Sequence, residues 1–278
     1  MSSKKLYLIT GPTASGKTDL SIELALKLSS PIISCDSRQI YKELKIGTAP
    51  PSPSQLKEVK HYFIHSHSIF NHYTAGKYEV EALSLMDSLY NEYDSLVMVG
   101  GSGLNAHAVC YGIDDFPTAD LELRLELTQR LEAQGVESLR KELKLIDPMS
   151  YSQIDIANPQ RILRAIEVTL ATGKRFSEYK NFRKKERSFT VENINVEMER
   201  ESLYQRINRR VDIMMDNGLL NEVKGLYEHR ELTALKTVGY RELFEYLDGK
   251  YSLEEAIELI KRNTRRYAKR QITWFKRY

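Results

Sequence analysis

The 278-residue sequence predicts an α/β fold in which a parallel-sheet core carries a small all-helical insertion, and three observations lead there. Short apolar runs alternate with stretches of helical periodicity across residues 1–115. The octapeptide GPTASGKT, Gly11 to Thr18, joins the first apolar run to the first helical stretch. From Phe116 to Arg187 the patterning is helical only, and β-like alternation returns at Val191 to Met198.

Each element follows from its residues. KLYLIT, Lys5 to Thr10, is an apolar run ending at glycine and reads as a buried strand; after it, Leu20, Leu24 and Leu28 recur at helical spacing. PIISC, Pro31 to Cys35, and SLVMVG, Ser95 to Gly100, are further strands, the latter preceded by a helical stretch from Lys77 to Tyr93. Strands separated by helices make a doubly wound parallel sheet. The loop between first strand and first helix has the spacing GxxxxGK[ST], which makes this a P-loop-containing core. Gly135, Asp147-Pro148, Asn158-Pro159 and Gly173 punctuate the helical insertion. Beyond the returning strand, helices run to the end, where Ile257, Ile260, Thr264, Tyr267, Ala268 and Ile272 share one face. The expected organisation is a first part of the core at 1–115, the insertion at 116–187, and the second part of the core with a basic final helix at 188–278. There is no internal repeat or low-complexity segment.

Composition excludes several classes. With 41% hydrophobic and 28% charged residues, the chain belongs with globular proteins and not with disordered ones. Apolar stretches such as Leu96 to Val99 are strand-sized, and MSSKKLYLIT enters a strand directly, so a cytoplasmic protein without membrane association is expected. Cys35 and Cys110 lack CxxC or histidine-ligand spacing, which makes both small core residues instead of disulfide or zinc partners. His65-Ser66-His67 reads as local packing, and no histidine belongs to a compact metal pattern. The net charge is only +3 but unevenly spread: Lys261 to Tyr278 holds eight Lys or Arg without an acid, and Lys174 to Arg187 holds seven against two acids. Such clusters fit an anionic polymer.

The P-loop offers specific chemistry. Gly11 and Gly16 let successive backbone N–H groups face phosphate oxygens at a helix N-terminus, Lys17 adds a mobile point charge, and Thr18 places a hydroxyl where a phosphate-bridging Mg²⁺ would sit. Asp36 opens DSRQIY at the carboxyl end of the second strand, where the ligand crevice of a parallel sheet lies. There it can bind metal, act as a base or cap the next turn. VGGSGLN, from Val99, sits at the same edge and is either a strand-to-helix turn or a wall of that crevice. Arg161 and Arg164 lie one helical turn apart, and Arg206, Arg209 and Arg210 flank Ile207 and Val211; each set is either a solvated face or an anion contact. Trp274 and Phe275, with the tyrosines Tyr267 and Tyr278, put aromatics beside the charges of the final helix.

In this order, GPTASGKT, DSRQIY with KIGTA, VGGSGLN, NPQRILRAIEV with TGK, LYQRINRRVDIMMDNGLLNEV, TVGYREL and TRRYAKRQITWFKR resemble the tRNA dimethylallyltransferase, or tRNA isopentenyltransferase, family over nearly the whole chain. The resemblance implies that the loop, Gly11, Pro12, Thr13, Ala14, Ser15, Gly16, Lys17 and Thr18, holds the diphosphate of dimethylallyl diphosphate together with Arg210 and Mg²⁺ at Thr18. It implies that Asp36 is the base for N6 of the adenine at tRNA position 37. Asp36, Ser37, Arg38 and Gln39, and Gln160, Arg161, Ile162, Leu163 and Arg164, are then expected to contact the tRNA anticodon stem-loop, with Ser102 and Arg124 near the substrate nucleotide. Asp36, Lys17, Thr18 and Arg210 are the expected catalytic set, in a monomer. The chain departs from the family at Ser102 (usually Thr), Asn105 (usually Tyr) and Pro50 (commonly Lys), and it ends just after WFKR, where many relatives continue. It has nothing like the C-terminal zinc finger of eukaryotic relatives, so a bacterial-type enzyme is expected. The alternatives are an adenylate isopentenyltransferase, a P-loop small-molecule kinase and an RNA-binding protein with a nucleotide switch.

Overall fold

The computed structural model describes residues 4–117, 120–180 and 184–276. It divides into two compact units, Met1–Tyr111 with Glu186–Tyr278, and Gly112–Lys185. The helical unit thus starts four residues earlier and ends two earlier than 116–187. Arg187 belongs to the core, because its guanidinium donates to the carbonyls of Ala108 and Val109 and pairs with buried Glu79 at 2.7 Å.

In the core unit β1 (Lys5–Thr10) leads through the P-loop into α1 (Lys17–Lys27) and β2 (Ile32–Ser34). Then come α2 (Pro53–Glu58), β3 (His61–Tyr62), α3 (Ala75–Leu89), β4 (Ser95–Val99) and α4 (Gly103–Tyr111). All strand pairings are parallel, in the order β3-β2-β4-β1-β5, where β5 is Thr190–Asn195. The strand period of two divides the sheet's side chains. Leu6, Leu8, Ile33, Leu96 and Met98 pack with Tyr78, Ala82 and Met86 of α3, whereas Ile9, Ile32 and Val97 pack with Ile22 and Ala25 of α1. Both faces are therefore covered, and truncating a fully buried member such as Leu8 to Ala costs about 2–5 kcal/mol. Cys35 and Cys110 are buried and unbridged, as their spacing implies.

The second unit holds α5 (Leu121–Gln134), α6 (Val136–Ile146), α7 (Pro148–Gln153), α8 (Pro159–Thr172) and α9 (Phe176–Tyr179). Its core is Leu127, Leu139, Leu143, Ile162, Leu163, Ile166 and Phe176. Asn158 caps α8 by accepting from the amides of Gln160 and Arg161, with Pro159 in the first turn and Gly173 left-handed at the far end. Buried Asp147 caps α7 and accepts from both the amide and hydroxyl of Ser177, so the Asp-Pro motif ties α7 to α9.

After β5 the core unit resumes with α10 (Arg200–Asp216), α11 (Leu219–Gly225), α12 (Tyr240–Leu247) and α13 (Leu253–Phe275). Ser252 and Glu255 form a capping box that starts α13. Arg183, Arg277 and Tyr278, members of the basic and aromatic clusters, lie outside the described residues.

Candidate active site

One cavity of about 560 Å³ opens at the carboxyl ends of the strands, within the 300–1,000 Å³ typical of small-molecule sites. The P-loop, the Asp36 to Gln39 turn, Gly100-Gly101, α10 and α13 all contribute to its lining.

The P-loop is shaped by close contacts. A Cβ on Gly11 would lie 2.6 Å from the Val196 carbonyl, and Gly11 and Gly16 have φ of 144° and 95°. Ala14 is also left-handed, at φ 67°. The hydroxyl of Ser15 is buried and has no hydrogen-bond partner among the described residues, so the loop holds a polar group that a ligand oxygen would satisfy. Not every loop amide is available to a ligand. The Thr13 N–H donates to Gln271 Oε1 at 2.8 Å, and Gln271 Nε2 donates to the Gly101 carbonyl at 2.9 Å. Gln271, 4% exposed, thereby joins the P-loop to the loop after β4.

The cations Lys17 and Arg210 are desolvated and form no ion pair among the described residues. Lys17 donates to the Pro12 carbonyl at 2.5 Å, and burial pulls its pKa down to about 8, with Asp36 opposing and Arg210 adding to the fall. Arg210 donates to Thr13 Oγ1 at 3.3 Å and is held below its ordinary range by burial and by Arg206. Neither arginine forms an ion pair among the described residues. Like charges crowded beside a helix N-terminus are what a polyanion relieves. Thr18 lines the cavity and its hydroxyl makes no hydrogen bond among the described residues, which suits Mg²⁺, a cation that takes few protein ligands beside phosphate oxygens and water. No group of three or more metal-ligating side chains occurs among the described residues.

Asp36 divides its two oxygens. Oδ1 accepts from the amides of Arg38 at 2.8 Å and Gln39 at 3.1 Å, while Oδ2 has no hydrogen bond among the described residues. The cap and the open carboxylate oxygen coexist in one side chain. Gly100 and Gly101 make the VGGSG segment a wall and not only a turn: a Cβ on Gly100 would sit 2.7 Å from the Asp36 amide, and one on Gly101 3.4 Å from Oδ2. Gln39 Nε2 donates to the carbonyls of Thr48 and Ala49, which fixes the turn against the KIGTA segment.

The other expected contacts separate. Ser37, Arg38 and Gln39 line the cavity. Ser102 does not; its Oγ accepts from the Asn105 amide and caps α4. In the helical unit, Ile162 and Leu163 are fully buried, so the expectation of tRNA contact is corrected for these two side chains, which are core. Gln160 and Arg161 are exposed. Arg124 pairs with Glu167 at 2.9 Å and donates to Gln160, and Arg164 pairs with the same carboxylate at 2.7 Å. Arg209 is exposed. Gln271 and Tyr267, whose hydroxyl donates to the Gly101 carbonyl at 3.3 Å, are site residues to which the sequence assigns no role; the signal available is their place in the TRRYAKRQITWFKR motif.

A profile of the IPP transferase family matches residues 39–278. The chain belongs to this family. The tRNA dimethylallyltransferase 1 of Bacteroides fragilis is 47% identical over 277 residues, covering 100% of this chain and 92% of the relative. The tRNA dimethylallyltransferase of Flavobacterium johnsoniae is 49% identical over 280 residues, covering 99% and 91%. The crystal structure of the full-length tRNA isopentenylpyrophosphate transferase from Bacillus halodurans aligns with a TM-score of 0.69 at 35% identity, over 99% of this chain and 88% of that one. A eukaryotic dimethylallyltransferase crystallised acting on tRNA aligns with a TM-score of 0.79 at 27% identity, over 98% and 70%. This IPP transferase has no described helix long and apolar enough to cross a membrane.

Proposed function

We propose that the protein transfers the dimethylallyl group of dimethylallyl diphosphate to N6 of the adenine at position 37 of tRNA, next to the anticodon, in the cytoplasm and as a monomer. Membership of the IPP transferase family supports the reaction class. The observation that carries the residue assignments is one cavity with unpaired cations around the P-loop and the open Oδ2 of Asp36.

The C1–O bond of the allylic diphosphate breaks with carbocation character as the adenine N6 forms the new C–N bond. Negative charge grows on the departing diphosphate; Lys17, Arg210 and the free loop amides take it up, a role their lining of the cavity supports. Val211, Met214, Val238 and Ile260 also line the cavity and suit a five-carbon apolar chain. Asp36 Oδ2 takes the N6 proton while Oδ1 keeps the turn in place. Mg²⁺ held at Thr18 would supply further charge neutralisation to the diphosphate. A stacked adenine is out of reach of such a pocket, so the base is extruded, and phosphate contacts by Arg38, Arg161 and the basic residues of α13 offset the unstacking.

Incubation with labelled dimethylallyl diphosphate and, separately, bulk tRNA or AMP tests the reading, with ATP as a rival donor. Label is expected in tRNA alone. Label in AMP would make the protein an adenylate isopentenyltransferase, and phosphoryl transfer from ATP would make it a kinase.

A further inference from the structure

Glu222 of α11 is far from the P-loop in sequence and carries none of the chemistry above, yet its carboxylate takes four donors, three of them from the segment that enters the cavity wall at Gly47. Oε2 accepts from the amides of Lys45 at 2.8 Å and Ile46 at 2.9 Å. Oε1 accepts from the Gly47 amide at 3.1 Å and the Tyr240 hydroxyl at 2.6 Å. Three successive backbone N–H groups converging on one anion form a nest, and here the anion is the chain's own. Tyr240 is fully buried, and its hydroxyl is held in the protonated, donating form by burial and by Glu222. Its ring fills the space beside Gly47, where a Cβ would lie 2.6 Å from it.

The nest leads directly to the acceptor side of the site. Beyond Gly47, the carbonyls of Thr48 and Ala49 accept from Gln39 Nε2 at 3.1 and 3.0 Å, and the Gln39 amide donates to Asp36 Oδ1. The Thr48 hydroxyl donates back to Leu44 at 2.8 Å, which closes the loop on itself. By contrast, among the described residues the hydrogen bonds of the P-loop's own groups outside α1 run to Gln271, Arg210 and its own carbonyls, and none of these runs to the 45–49 loop.

We propose that Glu222 is a positioning residue for the tRNA side of the reaction: as the resident anion of the 45–47 nest it sets the loop that orients Gln39 and, through it, the Asp36 turn. The inference rests on the reading of Asp36 as the base and of the Asp36 to Gln39 segment as facing tRNA.

The test uses the full chain with Glu222→Ala and Glu222→Gln, measuring the Michaelis constants for tRNA and for dimethylallyl diphosphate separately, with sodium formate or with sodium chloride at equal ionic strength. Removing a carboxylate that takes four donors should raise the tRNA constant about tenfold or more in Glu222→Ala and leave the diphosphate constant within about twofold. Formate, a small carboxylate that fits an empty nest, should recover part of the loss, and chloride should not. The amide of Glu222→Gln keeps one acceptor oxygen and should fall between. A wild-type tRNA constant in both variants, parallel changes in both constants that track the melting temperature, or no response to formate would each overturn the proposal. If Glu222→Ala does not fold, the split of constants in Glu222→Gln decides, and a Glu222→Gln enzyme that also fails to fold makes the contact a folding requirement and overturns it. Asp36→Asn, assayed beside them, separates the layers: near-normal transfer by that variant removes the base assignment, while a slow Asp36→Asn with an unchanged Glu222→Ala removes only this inference.

Discussion

The arginines nearest the P-loop and two arginines of the helical unit are handled in opposite ways, while Arg241, at another part of the cavity lining, pairs with Glu242. Arg38, Arg206 and Arg210 surround a pocket and form no ion pair among the described residues, and Lys17 beside them is desolvated to a pKa of about 8. Arg124 and Arg164, also expected at the tRNA side from the family resemblance, close from two helices on the 1%-exposed Glu167. A cation left unpaired in a cavity is held for a ligand, whereas a cation on a buried carboxylate is spent on the fold. Asp36 shows the same division within one side chain, with one oxygen tied to the backbone and the other left open.

That contrast is most exposed to failure at Asp36. Asp36→Asn keeps an oxygen for the Arg38 and Gln39 amides, so folding and both substrate affinities should persist, while the single-turnover rate at saturation falls roughly a hundred- to ten-thousandfold. Near-normal transfer would make Asp36 a cap alone. Next in size, Lys17→Ala or Arg210→Ala should slow transfer on the order of a hundredfold by removing a cation from the leaving group. The ligand-free Arg210→Ala protein should melt no earlier than wild type, since its guanidinium is desolvated without an ionic partner.

Within the helical unit the comparison sharpens between neighbours. Arg164→Ala leaves Glu167 with Arg124 alone and should destabilise that unit by about 1–3 kcal/mol, read as urea unfolding or faster amide exchange in α8. Arg161→Glu should leave stability unchanged but raise the tRNA Michaelis constant several-fold, about 3- to 10-fold, with a shallower salt dependence. If the two substitutions behave alike, the division between free and paired arginines is wrong. The smallest expected effect is a proton. Lys17 titrates near 8 in the free protein instead of near 10.5, and a bound diphosphate favours its charged form, so binding takes up a fraction of a proton between pH 8 and 10 and weakens as pH rises through that window. Calorimetry in buffers of different ionisation enthalpy measures that uptake.

What was legible in the sequence is what depends on near neighbours. β1, the P-loop and α1 follow from an apolar run, glycine spacing and a helical repeat within 28 residues, and the structure has them where the pattern puts them. β3, two residues long, and the one-turn-and-a-half α2 carry too few positions to display a period. Ile162 and Leu163 share the apolar stripe of Ile166 on α8, so their burial is readable from helical spacing, whereas the family resemblance covers the contiguous segment Gln160 to Arg164 without separating its faces. Gln271 and Glu222 were not readable by such means. Their partners lie 258 and 175–177 residues away, and no local pattern marks a side chain whose role is set by that distance.

The sheet order has a consequence for synthesis on the ribosome. β1 pairs on one side with β4 and on the other with β5, in the register Lys5 to Thr190. At about 5–20 residues per second, the second partner arrives roughly 10–40 seconds after the first strand has emerged. During that interval an internal strand of the finished sheet is an unprotected edge, while the helical unit is formed from consecutive residues and needs no later partner. The nascent P-loop also waits for α13, because the Thr13 amide finds Gln271 only when the final helix is made. A stalled or prematurely ended chain therefore carries the phosphate-binding signature without its support, and it presents a chaperone or a protease with an open β1 edge long before it presents a substrate with a finished site.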